Sequence, residues 1–102
     1  MVAVIENKRE AIASACERHQ VASLYVFGSA LRDDFQPGAS DVDLLVEFST
    51  RDPFEKKDAY FELLDELRVI LGVEVDLVMV GAVKNRYIAQ DIESSKQLLY
   101  AA

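Results

Sequence analysis

Two aspartates separated by one residue, in Ser40-Asp41-Val42-Asp43-Leu44-Leu45-Val46, carry the most chemical content in this sequence. Successive side chains of a strand point to opposite faces, so Asp41 and Asp43 share one. Two neighbouring carboxylates repel, and that cost falls when a cation lies between them. A third acid, Asp76, sits in Val73-Glu74-Val75-Asp76-Leu77-Val78-Met79-Val80, a run otherwise almost wholly apolar. A charge there is expensive unless paired or metal-bound. If the two strands are parallel neighbours, Asp76 comes beside Asp43 and three carboxylates converge, the oxygen-rich donor set that Mg²⁺ prefers. Singly, each acid also has an ordinary reading: a solvated strand start for Asp41, a solvent-facing position for Asp43, and for Asp76 an exposed sheet face shared with Glu74.

Upstream lies Val26-Phe27-Gly28-Ser29-Ala30-Leu31-Arg32. Glycine and a small hydroxyl at a strand-to-helix turn allow close backbone approach to a phosphate, and N–H groups at the helix start donate to it. Arg32 is placed to add charge-assisted bonds. These residues meet Asp41 and Asp43 only if the end of the first strand lies beside the start of the second, which an antiparallel pair achieves.

Composition narrows the chemistry. Eighteen Asp and Glu against eleven Lys and Arg give a net charge of −7, which repels a nucleic-acid backbone and suits a basic protein partner or a metal site. Cys16 and His19 are the only residues of their kinds, which excludes an intrachain disulfide, a cysteine-rich zinc site and a multi-histidine metal site. Charge at Glu6-Asn7-Lys8-Arg9 follows too soon for a secretory apolar core, and no apolar run reaches a membrane span, so a cytoplasmic protein with no membrane contact is expected.

The elements that must position these residues follow from periodicity. A helix is expected over residues 4–19, strands over Val21 to Phe27, Val42 to Phe48 and Val73 to Val80, and a short helix over Ala30 to Asp34 after the Gly-Ser turn. Asp52-Pro53-Phe54-Glu55 opens a long helix as N-cap, first-turn proline and box-like partner, and Gly72 stops it. Within it Phe54, Phe61, Leu64 and Leu67 read as core. A last helix is expected from Val83 to Tyr100, with Ile88, Ile92, Ser95 and Leu99 on one face. The fold class is α/β (α+β), in the order α-β-α-β-α-β-α, with a small mixed sheet flanked by helices. The crossover helix makes the second and third strands parallel. His19 reads as a helix-end or interface residue, Cys16 as a small apolar one, Lys56-Lys57 as an exposed charged face that would neutralise phosphate if its end bordered the site, and Glu47 as solvated.

Taken together, Gly28-Ser29, Arg32, Ser40-Asp41-Val42-Asp43-Leu44 and the downstream Asp76 resemble the signature of the DNA polymerase β-like nucleotidyltransferase superfamily. The small size and the Gly-Ser-x-x-Arg form look like its minimal nucleotidyltransferase (MNT) group, which includes the antitoxins of HEPN/MNT toxin–antitoxin systems. The resemblance covers nearly the whole chain. It departs at the segment Ala30 to Ser40, one residue longer than usual. It implies a single minimal nucleotidyltransferase domain over residues 1–102 that lacks the acceptor domain of larger relatives. Asp41 and Asp43 would hold two Mg²⁺ ions, and Asp76 would complete one site and help activate the attacking hydroxyl. Gly28 and Ser29 would hold the phosphates, with Arg32 and Ser40 as further nucleotide-binding residues. The implied activity is transfer of AMP from ATP to a hydroxyl, in some systems a tyrosine of a HEPN-type RNase toxin held in a hetero-oligomer. The alternative is an antitoxin that neutralises its HEPN partner by binding alone.

Overall fold

A computed structural model describes residues 3–31, 36 and 40–102, with the Ser29 side chain outside the description. The chain runs α1 (Ala3–Glu6), α2 (Arg9–Arg18), β1 (Val21–Phe27), a 3-10 turn (Gly28–Leu31), β2 (Val42–Phe48), α3 (Pro53–Leu71), β3 (Val75–Met79), α4 (Arg86–Ser95) and β4 (Gln97–Ala101). The strands form one mixed sheet in the order β3-β2-β1-β4. β1 and β2 are antiparallel and β2 and β3 parallel, as the crossover argument requires.

One face of the sheet carries the core. Leu24 and Val26 of β1, Val42, Leu44 and Val46 of β2, and Val75 and Leu77 of β3 pack against Ile12, Ala15 and Cys16 of α2 and Ala59, Leu63, Leu67 and Leu71 of α3. α4 covers part of the other face. Its Ile92 and the following Lys96 border the same small cavity as Leu45, and Lys96 Nζ lies 4.0 Å from the centre of the Tyr25 ring.

α3 begins and ends where its cap residues dictate. Asp52 accepts hydrogen bonds from the Phe54 and Glu55 amides at 2.9 and 3.5 Å, Pro53 occupies the first helical position, and Gly72 adopts φ 68° at the C-cap. The Glu55 carboxylate does not return to the Asp52 amide; it accepts from the Thr50 hydroxyl instead. The Tyr60 hydroxyl donates to the Leu77 carbonyl at 2.7 Å, tying α3 to the edge strand β3.

Four expectations are corrected. The first helix is two, because Lys8 leaves helical geometry at φ −117°, ψ 13°; Ile5 and Ile12, on either side of the break, are both in the core. The expected helix over Ala30 to Asp34 is a 3-10 turn over Gly28–Leu31, while residues 32–34 lie outside the described residues. The last helix ends at Ser95: Lys96 turns extended at φ −60°, ψ 146°, and Gln97–Ala101 pairs antiparallel with β1, satisfying an edge that would otherwise be open. Finally, Phe54 and Phe61 are not core residues. They are 81% and 54% exposed, because the α3 stripe through Ala59, Leu63, Leu67 and Leu71 faces the sheet and they lie on the opposite side.

Candidate active site

The centre of the sheet brings the chemistry together. Phe27, Asp43 and Asp76 are register partners across β1, β2 and β3, Phe27 with Asp43 in the antiparallel pair and Asp43 with Asp76 in the parallel one. In-register side chains of adjacent strands stand on one face about 4.8 Å apart, so the two carboxylates are neighbours. That face is opposite the one bearing Val42, Leu44 and Val46, and is therefore not closed by α2 and α3.

Gly28 follows Phe27 at φ 71°, a conformation that favours glycine. A Cβ built on it would lie 3.2 Å from Asp43 Cγ and closer still to Oδ2. The end of β1 and the start of β2 are thus in contact through the strand-to-turn glycine and the carboxylate. Ser29 follows within the 3-10 turn.

The remaining sequence candidates are placed as follows. Asp41 is exposed, one residue before β2. Asp43 is half-buried and Asp76 exposed on the edge strand, so Asp76 is hydrated and carries no burial cost, contrary to expectation; its register with Asp43 is what singles it out. Ser40 closes its own loop: its amide donates to the Gln36 carbonyl at 2.8 Å and its hydroxyl oxygen accepts from the Gln36 amide at 3.2 Å. Arg32 and most of the segment that departs from the usual spacing lie outside the described residues.

The carboxylates present fit a hard divalent cation. Among the described residues, no three His, Cys, Asp or Glu side chains are gathered closely enough to hold a metal by themselves. Mg²⁺ does not demand this, since it is ordinarily held by one or two carboxylates with substrate phosphate and water completing the shell. A neighbouring carboxylate pair beside a glycine turn suits that mode.

Residues of α4 join the site without a sequence signal of function. A cavity of about 360 Å³ opens beside Gly28, lined by Phe27, Leu31, Ile88, Asp91 and Ser95 among others. The periodicity of Ile88 and Ser95 marks them as one helical face, but which part of the sheet that face meets is decided by topology. Asn85 starts this helix by accepting from the Tyr87 and Ile88 amides at 2.9 and 3.2 Å. A wider concavity of about 390 Å³ lies at the far end of β2, beside Phe48, Arg51 and Lys56, away from the carboxylates. Lys56 therefore does not border the acidic site.

The other lone residues fall into structural roles. His19 caps α2, its Nε2 2.8 Å from Glu66 and its Nδ1 3.4 Å from Glu62 on α3. The Arg18 guanidinium, 2.8 Å from Glu66, is the main cause that holds the Glu66 carboxyl below its ordinary range. Burial pushes the Cys16 thiol up to about 12. Glu47 is exposed, as expected. Among the described residues, no helix is long and apolar enough to cross a membrane.

Comparison with known proteins agrees with this fold. The nucleotidyltransferase domain family profile matches residues 8–99. A Methanocaldococcus jannaschii protein described as a candidate protein adenylyltransferase is 44% identical over 84 residues, spanning 82% of this chain and 80% of that one. A toxin–antitoxin crystal structure with AMP-PNP contains a chain that aligns with TM-score 0.69 at 23% identity, over 92% of this chain and 73% of that one. A chain from the complex of tri-AMPylated Shewanella oneidensis HEPN toxin with an MNT antitoxin aligns with TM-score 0.64 at 22% identity, over 96% of this chain and 73% of that one. The chain belongs to the nucleotidyltransferase domain family and is a nucleotidyltransferase.

Proposed function

We propose that this enzyme transfers AMP from ATP to a hydroxyl group of a protein, and that the acceptor is a tyrosine of a HEPN-type toxin that it neutralises as an antitoxin. The observation that carries the reading is the row Phe27–Asp43–Asp76 with Gly28 pressed against Asp43, which sets a glycine turn beside two carboxylates. The names of the relatives supply the nucleotide and the acceptor class: one structural neighbour was solved with AMP-PNP, and another complex holds an AMPylated HEPN toxin.

In this mechanism the backbone at Gly28 and Ser29 receives the triphosphate, and Asp41, Asp43 and Asp76 would hold Mg²⁺. The bound cation would neutralise charge on the phosphates during in-line displacement. The tyrosine oxygen attacks the α-phosphorus, the bond to the β-phosphate oxygen breaks, and pyrophosphate leaves. Asp76 takes the hydroxyl proton, and Asp43, beside it, would help hold the cation that offsets the charge of the reacting phosphate. Positioning and charge neutralisation account for most of such a reaction. The cavity beside Gly28 receives the nucleoside, with Phe27 and Ile88 against its base. Dependence on ATP suits a cytoplasmic setting.

The test incubates the protein with Mg²⁺, labelled ATP and a HEPN-type toxin. Label on a toxin tyrosine with the wild type, lost in the Asp41→Asn, Asp43→Asn double variant, is the expected result. No transfer, with toxin neutralisation unaffected by the double substitution, would overturn catalysis and leave an antitoxin that acts by binding.

A further inference from the structure

We propose that the outer face of α3 docks a second copy of the chain, the two helices antiparallel with Phe61 on the two-fold axis. Phe54, Phe61 and Val69 are 81%, 54% and 84% exposed on this helix, a concentration of large apolar side chains that water does not favour. At 100° per residue all three lie within a stripe about 80° wide.

The polar residues around the stripe commit it to a self-complementary partner. Lys57 lies four residues before Phe61 and Asp65 four residues after it. On the helix surface they stand about 40° to either side of Phe61 and one turn above and below it. A two-fold axis at Phe61 therefore brings Lys57 of each copy level with Asp65 of the other across the seam, twice. The next positions match as well. Phe54, seven residues before Phe61, comes level with Arg68, seven after, each about 20° from the centre of the seam. Arg68 is held by Glu74, Nε to carboxylate 2.9 Å, and in the dimer its guanidinium would stack on the partner's Phe54 ring. Val69 and Asp58 fall about 80° and 60° off the centre, at the rim.

α3 packs on the core face of the sheet, so its outer side points away from Asp43 and the dimer leaves the active site open. A single pair of helices is a small interface, and the association is accordingly reversible.

Sedimentation equilibrium of the full chain from micromolar to millimolar concentration tests this. The weight-average mass is expected to climb from 11.4 kDa toward twice that value. Lys57→Glu alone and Asp65→Lys alone each set like charges at both contacts and weaken the dimer roughly tenfold or more. Both sites are exposed, and far-UV circular dichroism reports that the variants fold. Mixing the two single variants restores a dimer of unlike copies. The introduced glutamate of one copy then meets the introduced lysine of the other, and the native Asp65 of the first meets the native Lys57 of the second. A wild type that stays at 11.4 kDa, its stripe left to a different protein's helix, would overturn the proposal, as would a mixture that fails to associate.

Discussion

Gly28 has no room for a side chain, because the Asp43 carboxylate occupies the place a Cβ would take. The Gly28 turn and the Asp43 carboxylate are thus one packed unit, and the positive φ of 71° adds a second reason for glycine. Gly28→Ala is expected to displace Asp43, destabilise the fold by about 1–3 kcal/mol and lower nucleotidyl transfer. Thermal unfolding and transfer assays on the same sample check both effects.

The Asp43–Asp76 pair predicts opposite effects on stability and activity. Without metal the two carboxylates repel across the parallel ladder, so Asp76→Asn should leave the melting temperature unchanged or raise it. Transfer should fall by about two to three orders of magnitude, the usual consequence of removing one group that stabilises transition-state charge. Mg²⁺ with ATP should raise the wild-type melting temperature and raise that of the variant less. An unaltered rate in the variant would remove Asp76 from the site.

Cys16 should be chemically silent while the protein is folded. Burial pushes its thiol to about 12, leaving almost no thiolate at neutral pH. A thiol-reactive dye should label it only as the chain unfolds, on the same denaturant curve as circular dichroism.

The contact between α2 and α3 should fade in acid. The Arg18 guanidinium and the His19 ring hold the Glu66 carboxyl below its ordinary value, so its contribution is complete above the unfolded-state value of 4.5 and is lost as pH falls through the lower folded value. Glu66 is more than a third exposed, and solvent screening limits the effect to less than about 1 kcal/mol. Glu66→Gln should lose that part of the acid limb in a stability–pH profile and approach the wild type once pH has fallen below the folded-state value.

The two faces of α3 should respond very differently to truncation. Leu67 is fully buried, and Leu67→Ala should cost about 2–5 kcal/mol. Phe54→Ala on the outer side should shift monomer stability by no more than about 0.5 kcal/mol. Urea unfolding at low protein concentration separates the two.

Where each property was legible follows from the range of the forces that set it. Asp52, Pro53 and Gly72 announce α3 because capping and left-handed φ are local, satisfied within a few residues. The β-branched runs of β1 and β2 are equally local. The final helix was misjudged because Gln97-Leu98-Leu99-Tyr100 suits either structure, and only the bare edge of β1 selects strand. Phe54 and Phe61 misled for a related reason: helical spacing tells which residues share a side, not which side meets the sheet.

By itself the sequence determined which residues are candidates for chemistry: the carboxylates Asp41, Asp43 and Asp76, the glycine at Gly28, and a family resemblance built on their types and spacing. Side-chain chemistry and strand alternation are properties of the chain alone. Tertiary structure decided the register that makes Asp76 the neighbour of Asp43, the contact of Gly28 with Asp43, and the arrival of α4 beside the turn. Those depend on how strands pair across long stretches of chain, which no local preference encodes.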